Sequence, residues 1–138
     1  MPPRLVPELD VSDLESSLAF YVGLCGFTLR YDRPEERFAY LDLDGAELML
    51  QSAEGPGRRF RTAPLEHPFG RGVNLQIEVR DAAALHERAS GAGHQIVLGL
   101  EDRWYRTRDE EAGNRQFVVA DPDGYLLRFF EDLGTRAA

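Results

Sequence analysis

Residues 118–131, VVADPDGYLLRFFE, are the stretch from which the rest of the chain can be read. Two apolar runs flank Asp121-Pro122-Asp123-Gly124, in which proline presets φ, aspartate bonds its own backbone and glycine accepts positive φ. The segment predicts a β-hairpin. Alternation puts Leu126, Arg128 and Phe130 on one face of its second strand and Leu127, Phe129 and Glu131 on the other. Arg128 therefore stands mid-strand between large apolar neighbours. An arginine in such a place either snorkels to the surface or contacts something bound.

Upstream of the hairpin, residues 73–79 alternate as a strand, with Val73, Leu75, Ile77 and Val79 on one face and Asn74, Gln76 and Glu78 on the other. Asp81 is placed to cap a helix running to about Ala92, ended by Gly91 and Gly93. A strand over 96–100 and an irregular charged segment over 101–114 complete this half. The first half reads in the same order. A strand over 5–11 contains Pro7, which cannot donate to a ladder and predicts an edge position. Ser12-Asp13-Leu14-Glu15 matches a capping box with Ser12 as N-cap. The helix it opens carries Leu14, Leu18, Tyr21, Val22 and Cys25 at three- and four-residue steps, and Gly26 closes it. Strands over 28–32, 38–43 and 46–51 follow, the last two joined at the hairpin signal Asp44-Gly45.

Residues 9–27, LDVSDLESSLAFYVGLCGF, and 77–94, IEVRDAAALHERASGAGH, thus share strand, aspartate, helix and glycine stop. The chain reads as a tandem repeat of one βαβββ unit, with module one over about 4–51, a connection over 52–71 and module two over about 72–132 of a single 1–138 domain. The predicted class is α+β. One helix covers one face of each unit's sheet, so the uncovered faces should come together around a cleft.

Composition narrows the function classes. The chain has 138 residues, 43% hydrophobic and 29% charged, with a net charge of −8. That acidity argues against general nucleic-acid binding, which needs neutralised phosphates, and suits a cationic ligand. No apolar run reaches a membrane span, and MPPRLVPELD lacks the pattern of a secretory leader, so a cytoplasmic location is expected. Cys25, the single cysteine, sits in an apolar segment and reads as a small core residue.

The order of elements, the segment VSDLESSLAFYVGLCGF and the DPDGYLLRF hairpin resemble the vicinal oxygen chelate superfamily, which includes glyoxalase I, extradiol dioxygenases, fosfomycin-resistance transferases and bleomycin-resistance proteins. The resemblance implies eight strands in two paired modules forming a curved mixed sheet around a cleft, with the helices on the outer face, usually in a homodimer. Metal-dependent members take His or Glu ligands at three strand positions. Counting from Asp13, Asp81 and Asp121, those positions fall on Val6, Asn74 and Arg128. None supplies imidazole, carboxylate or thiolate, and the fourth candidates, Met49 and Gln51, are not carboxylates either. No metal, cofactor or catalytic residue is therefore expected.

The remaining likeness is to the bleomycin-resistance branch, whose members bind the drug without chemistry and carry arginine in DPDGxLLR. It implies a metal-free protein that sequesters a cationic or aromatic small molecule by stacking and ion pairing. Alternation places Glu8, Asp10, Phe38 and Tyr40 on the inner face, with Asp42 and Glu47 beside them. Gln76, Glu78, Gln116 and Arg128 line it from the second module. Trp104 and Tyr105 in EDRWYRTRDEE are expected as further contacts, although Trp104 lies farther from DPDG than the tryptophan of bleomycin-binding proteins. The alternative is a glyoxalase-like lyase or other enzyme acting on a small metabolite in the same cleft.

Overall fold

The computed structural model describes residues 3–138; Met1 and Pro2, the start of the segment read above for a leader, lie outside them. The eight expected strands are all present and hydrogen bond as two sheets of four. Two compact units divide between His67 and Pro68.

In the first unit, β1 (Glu8–Val11), α1 (Leu14–Leu18), β2 (Thr28–Arg33), β3 (Phe38–Leu43) and β4 (Ala46–Ser52) follow in order. The sheet order is β1-β4-β3-β2. β1 pairs only with β4, in parallel, so the strand entered through Pro7 is at an edge as predicted. The other pairings are antiparallel. The β3–β4 turn places both Asp44 (φ 50°) and Gly45 (φ 97°) in the left-handed region. Two such residues give the turn whose twist matches a right-handed hairpin.

Two local expectations are corrected around α1. The N-cap is Asp13 rather than Ser12, and its carboxylate accepts the Ser16 hydroxyl (2.6 Å) instead of a backbone amide. The capping box is displaced because β1 stays paired through Val11, whose partner is Ser52, and the helix starts one residue later. Beyond Leu18 the helix widens into a π-turn over Ala19–Leu24, with the Cys25 amide donating to the Phe20 carbonyl at 3.0 Å. The wider turn lets consecutive Phe20 and Tyr21 both bury their rings, edge to face at 5.0 Å. The apolar stripe accordingly runs through Ser17, Phe20, Tyr21 and Cys25, while Leu14, Leu18 and Val22 are only half-buried. Cys25 is a core residue as expected. Opposite this helix, Leu9, Val11, Ala39, Leu41, Leu48 and Leu50 form the buried face of the sheet.

In the second unit, β5 (Asn74–Glu78), α2 (Ala82–Gly91), β6 (Ile96–Thr107), β7 (Glu110–Ala120) and β8 (Leu126–Ala137) repeat the sequence of elements. Their sheet order, β5-β8-β7-β6, repeats the topology of the first, including one parallel edge pairing. Asp81 caps α2 by accepting from the Ala84 amide (3.0 Å), and the Ala82 amide donates to Glu131 (3.1 Å). Ala82, Leu85 and Ala89 cover Ile77, Phe117, Val119, Leu127 and Phe129.

The predicted hairpin forms around Asp121, whose Oδ1 accepts from the amides of Asp123 and Tyr125, each at 2.9 Å. Gly124 (φ 96°) is held against the preceding chain: a Cβ there would meet the Pro68 Cβ at 2.5 Å and its Cα at 2.8 Å. Residues 101–114, expected to be irregular, instead continue β6 and β7 as a paired ribbon from Asp102–Arg115 out to Thr107–Glu110. Cross-strand charge partners sustain it where apolar periodicity fails: Arg115 binds Asp102 through two hydrogen bonds (2.9 and 3.1 Å), and Arg136 binds Glu111 at 2.8 Å. The Arg115 guanidinium holds the Asp102 carboxyl below its ordinary pKa.

Two substitutions test this packing. Gly124→Ala is expected to lower unfolding free energy by about 2–4 kcal/mol, from left-handed strain and overpacking against Pro68; an unchanged urea midpoint would count against the close approach. Gly113 lies beneath Trp104, and a Cβ on it would come within 2.7 Å of the indole. Gly113→Ala should therefore push the sole tryptophan outward and shift its fluorescence to longer wavelength.

Candidate functional site

Each unit's helix leaves one sheet face uncovered, and registry specifies what that face carries. In the first unit, one row across β1, β4, β3 and β2 reads Glu8, Met49, Tyr40, Tyr31. The next reads Asp10, Gln51, Phe38, Arg33. Phe38 and Tyr40, expected as stacking surface, are buried at 4% and 8% exposure. Side chains of β2 lie over them. Tyr31 stacks on Tyr40 (5.0 Å, 15°), Arg33 sits over Phe38 (3.9 Å), and Arg30 lies 5.8 Å from the Tyr40 ring.

The exposed aromatic of this face is thus Tyr31, 49% exposed. Simple alternation hides it, because it would share a face with Leu29, the partner of Leu41. A register shift between Leu29 and Tyr31 turns the side chain to the other side. The same shift lets Arg30 pair with Glu47 at 2.8 Å. Hydrogen bonding to Glu47, followed by burial, raises the Tyr40 phenol above its ordinary pKa.

The expected carboxylates separate into two kinds. Asp10 accepts from Gln51 (2.8 Å) and pairs with Arg61 (2.8 Å). Arg61 also donates to the Ala53 carbonyl (2.6 Å), so the 52–71 connection is pinned beside β1. Glu8 and Glu78 are exposed and make no hydrogen bond or ion pair among the described residues. A separate recess of about 340 Å³ opens at the start of α1, between Leu14, Leu18, Asp13 and Arg37, and of the expected residues only Phe38 reaches it.

In the second unit, Gln76, Arg128, Val118 and Leu98 form one row of the uncovered face, and Glu78, Phe130, Gln116 and Glu101 form the next. Arg128 donates to the Gln76 side-chain carbonyl through Nη2, while its Nε is buried without a partner. Gln116, 1% exposed, donates through Nε2 to Glu101 (2.9 Å) and to the Tyr105 hydroxyl (2.7 Å). Tyr105 consequently shares this face. Trp104 does not. As the neighbouring residue of a regular strand it points to the opposite side, over Gly113 and against the Arg136 guanidinium at 4.1 Å. The pairing of Trp104 with Tyr105 as one contact surface is corrected by this alternation, which the reading of 101–114 as irregular had concealed.

The three positions implied for metal ligands do not supply a donor set. Val6 precedes β1, Asn74 opens β5 opposite Leu126, and Arg128 places a guanidinium beside Gln76. Among the described residues no group of three or more His, Cys, Asp or Glu side chains is arranged to hold a metal ion. A hydrocarbon, an amide and a cation do not fit a divalent ion.

Comparison with known proteins gives a consistent family. A bleomycin resistance protein of Geobacillus stearothermophilus is 29% identical over 138 aligned positions, covering 93% of this chain and 96% of that protein. An uncharacterised protein of Mycobacterium tuberculosis H37Rv is 30% identical over 127 positions, covering 89% and 71%. The crystal structure of TioX from Micromonospora sp. ML1 superposes with a TM-score of 0.73 at 25% identity, covering 95% of this chain and 99% of that one. The family model for the glyoxalase/bleomycin resistance protein/dioxygenase superfamily matches residues 7–129, and the chain belongs to that superfamily.

Proposed function

We propose that this protein is a metal-free small-molecule-binding protein of bleomycin-resistance type, which sequesters a cationic or aromatic ligand on the helix-free faces of its sheets. The observation that carries the reading is Arg128. A guanidinium bonded to Gln76 stands where metal-dependent members of the superfamily need an anionic ligand, so the site offers recognition chemistry in place of Lewis-acid chemistry. Likeness to curated bleomycin resistance proteins over 93% of the chain supports the same class.

The first unit offers a division of labour. Glu8, unpaired among the described residues, and Tyr31, half-exposed on Tyr40, end a single row. Three strand spacings separate their backbones by about 14 Å. An extended ligand could place a cationic terminus at the first and a flat ring on the second.

We also read the protein as a cytoplasmic homodimer. Edge strand β6 exposes Val97, Leu98 and Leu100, an apolar edge that pairing with another copy would cover. Its sole cysteine, Cys25, has no second cysteine in the chain to bridge with, in keeping with a reducing compartment.

Calorimetric titration with metal-free bleomycin tests the reading. Saturable binding should be indifferent to added zinc and weakened by about 0.5–1.5 kcal/mol in Tyr31→Ala, the loss of one stacked ring. Glu8→Gln should weaken it further, whereas Trp104→Ala should leave it unchanged. Absence of saturable binding, or turnover of the drug, would overturn the proposal. Sedimentation at micromolar concentration should give twice the chain mass, and a monomer there would refute the dimer.

A further inference from the structure

The helix-free face of the second unit holds two buried polar atoms without partners among the described residues: the Nε of Arg128, a donor, and the Oε1 of Gln116, an acceptor. The Gln116 amide orientation is set by its neighbours. Nε2 is the atom that faces the Glu101 carboxylate and the Tyr105 hydroxyl, and reversing the amide would set oxygen against the carboxylate. Oε1 is therefore left as an acceptor. Registry places the two residues diagonally: Arg128 is opposite Val118, and Gln116, two residues along the same strand, is opposite Phe130. Diagonal residues on one face are close enough for long side chains to converge on one small group.

We infer that Arg128 and Gln116 together recognise a carboxamide edge on the ligand, its carbonyl accepting from Arg128 Nε–H and its N–H donating to Gln116 Oε1. This inference rests on the ligand-binding reading above and specifies the chemistry of one part of that site. A carboxylate would satisfy Arg128 but would meet Gln116 Oε1 oxygen to oxygen, with Glu78 and Glu101 in the same row. An ammonium would satisfy Gln116 and be repelled by Arg128. Of carboxylate, ammonium and carboxamide, the carboxamide alone presents the acceptor and the donor that satisfy both atoms. Tyr105, 37% exposed and joined to Gln116 through its hydroxyl, borders the pair on the solvent side.

The test uses the full chain labelled with nitrogen-15, following the side-chain signals of Arg128 Nε–H and Gln116 Nε2 during titration with benzamide, and with benzoate in parallel. Both signals should move along one saturation curve with benzamide, at about tenfold higher affinity than with benzoate, a difference near one hydrogen bond. Arg128→Lys, which keeps the charge and loses Nε, should abolish the benzamide response at Gln116 while thermal unfolding reports that the variant is folded. Equal affinity for benzoate, separate curves for the two signals, or no response of either would overturn the inference; so would an unaltered Gln116 response in folded Arg128→Lys. Should that variant fail to fold, the wild-type titrations decide alone. Because the probes are not bleomycin, a negative drug titration with a positive benzamide result refutes the function and keeps this inference, and the reverse pattern does the opposite.

Discussion

A four-stranded sheet with one helix has one face it cannot cover, and every later property of this chain depends on that constraint. The hydrophobic effect places Leu9, Val11, Leu41 and Leu50 beneath the first helix, and Leu127, Phe129 and Phe117 beneath the second. Strand alternation then sends the intervening residues to the other side, except where a register shift intervenes, as between Leu29 and Tyr31. Glu8, Tyr40, Gln76, Arg128 and Gln116 occupy the uncovered faces because their neighbours are needed in the core. The placement of these residues is in this sense a by-product of core packing.

How the uncovered faces satisfy their polar groups separates structural from available chemistry. Asp10 and Glu47 are engaged by Arg61 and Arg30, so these carboxylates are partly neutralised within the protein. Phe38 and Tyr40 lie beneath Arg33 and Tyr31 and contribute to packing as core rings do. Left outside these contacts are Glu8 and Glu78, the half-exposed Tyr31, and one unpartnered buried atom each on Arg128 and Gln116. Exposed ion pairs such as Asp102–Arg115 contribute little energy singly, yet along the β6–β7 ribbon they favour one register where no apolar stripe does so.

Legibility in the sequence followed the strength of the local signal. Asp44-Gly45 and the DPDG segment were readable because turn chemistry is local, and Asp81 because a cap acts within one helical turn. The capping box at Ser12 was misread for the complementary reason: pairing of Val11 with Ser52, distant in sequence, prevailed over a favourable local motif. Trp104 was misplaced because a charge-rich strand carries no hydrophobic period to reveal its alternation. Tyr31 was missed because a register shift moves a residue to the opposite face and leaves no mark in composition.

The sequence by itself determined the repeated βαβββ units, the edge position of β1, the burial of Cys25 and the absence of metal-ligating side chains at Val6, Asn74 and Arg128, since each follows from residue chemistry or from spacing within a short window. Only the tertiary structure decided which uncovered residues remain available. Tyr31 over Tyr40, Arg61 on Asp10 and the unsatisfied pair Arg128 and Gln116 each depend on contacts between segments brought together by folding. The physical reason is that hydrogen-bond satisfaction is a property of neighbours in space, which a period of two or 3.6 along the chain does not specify.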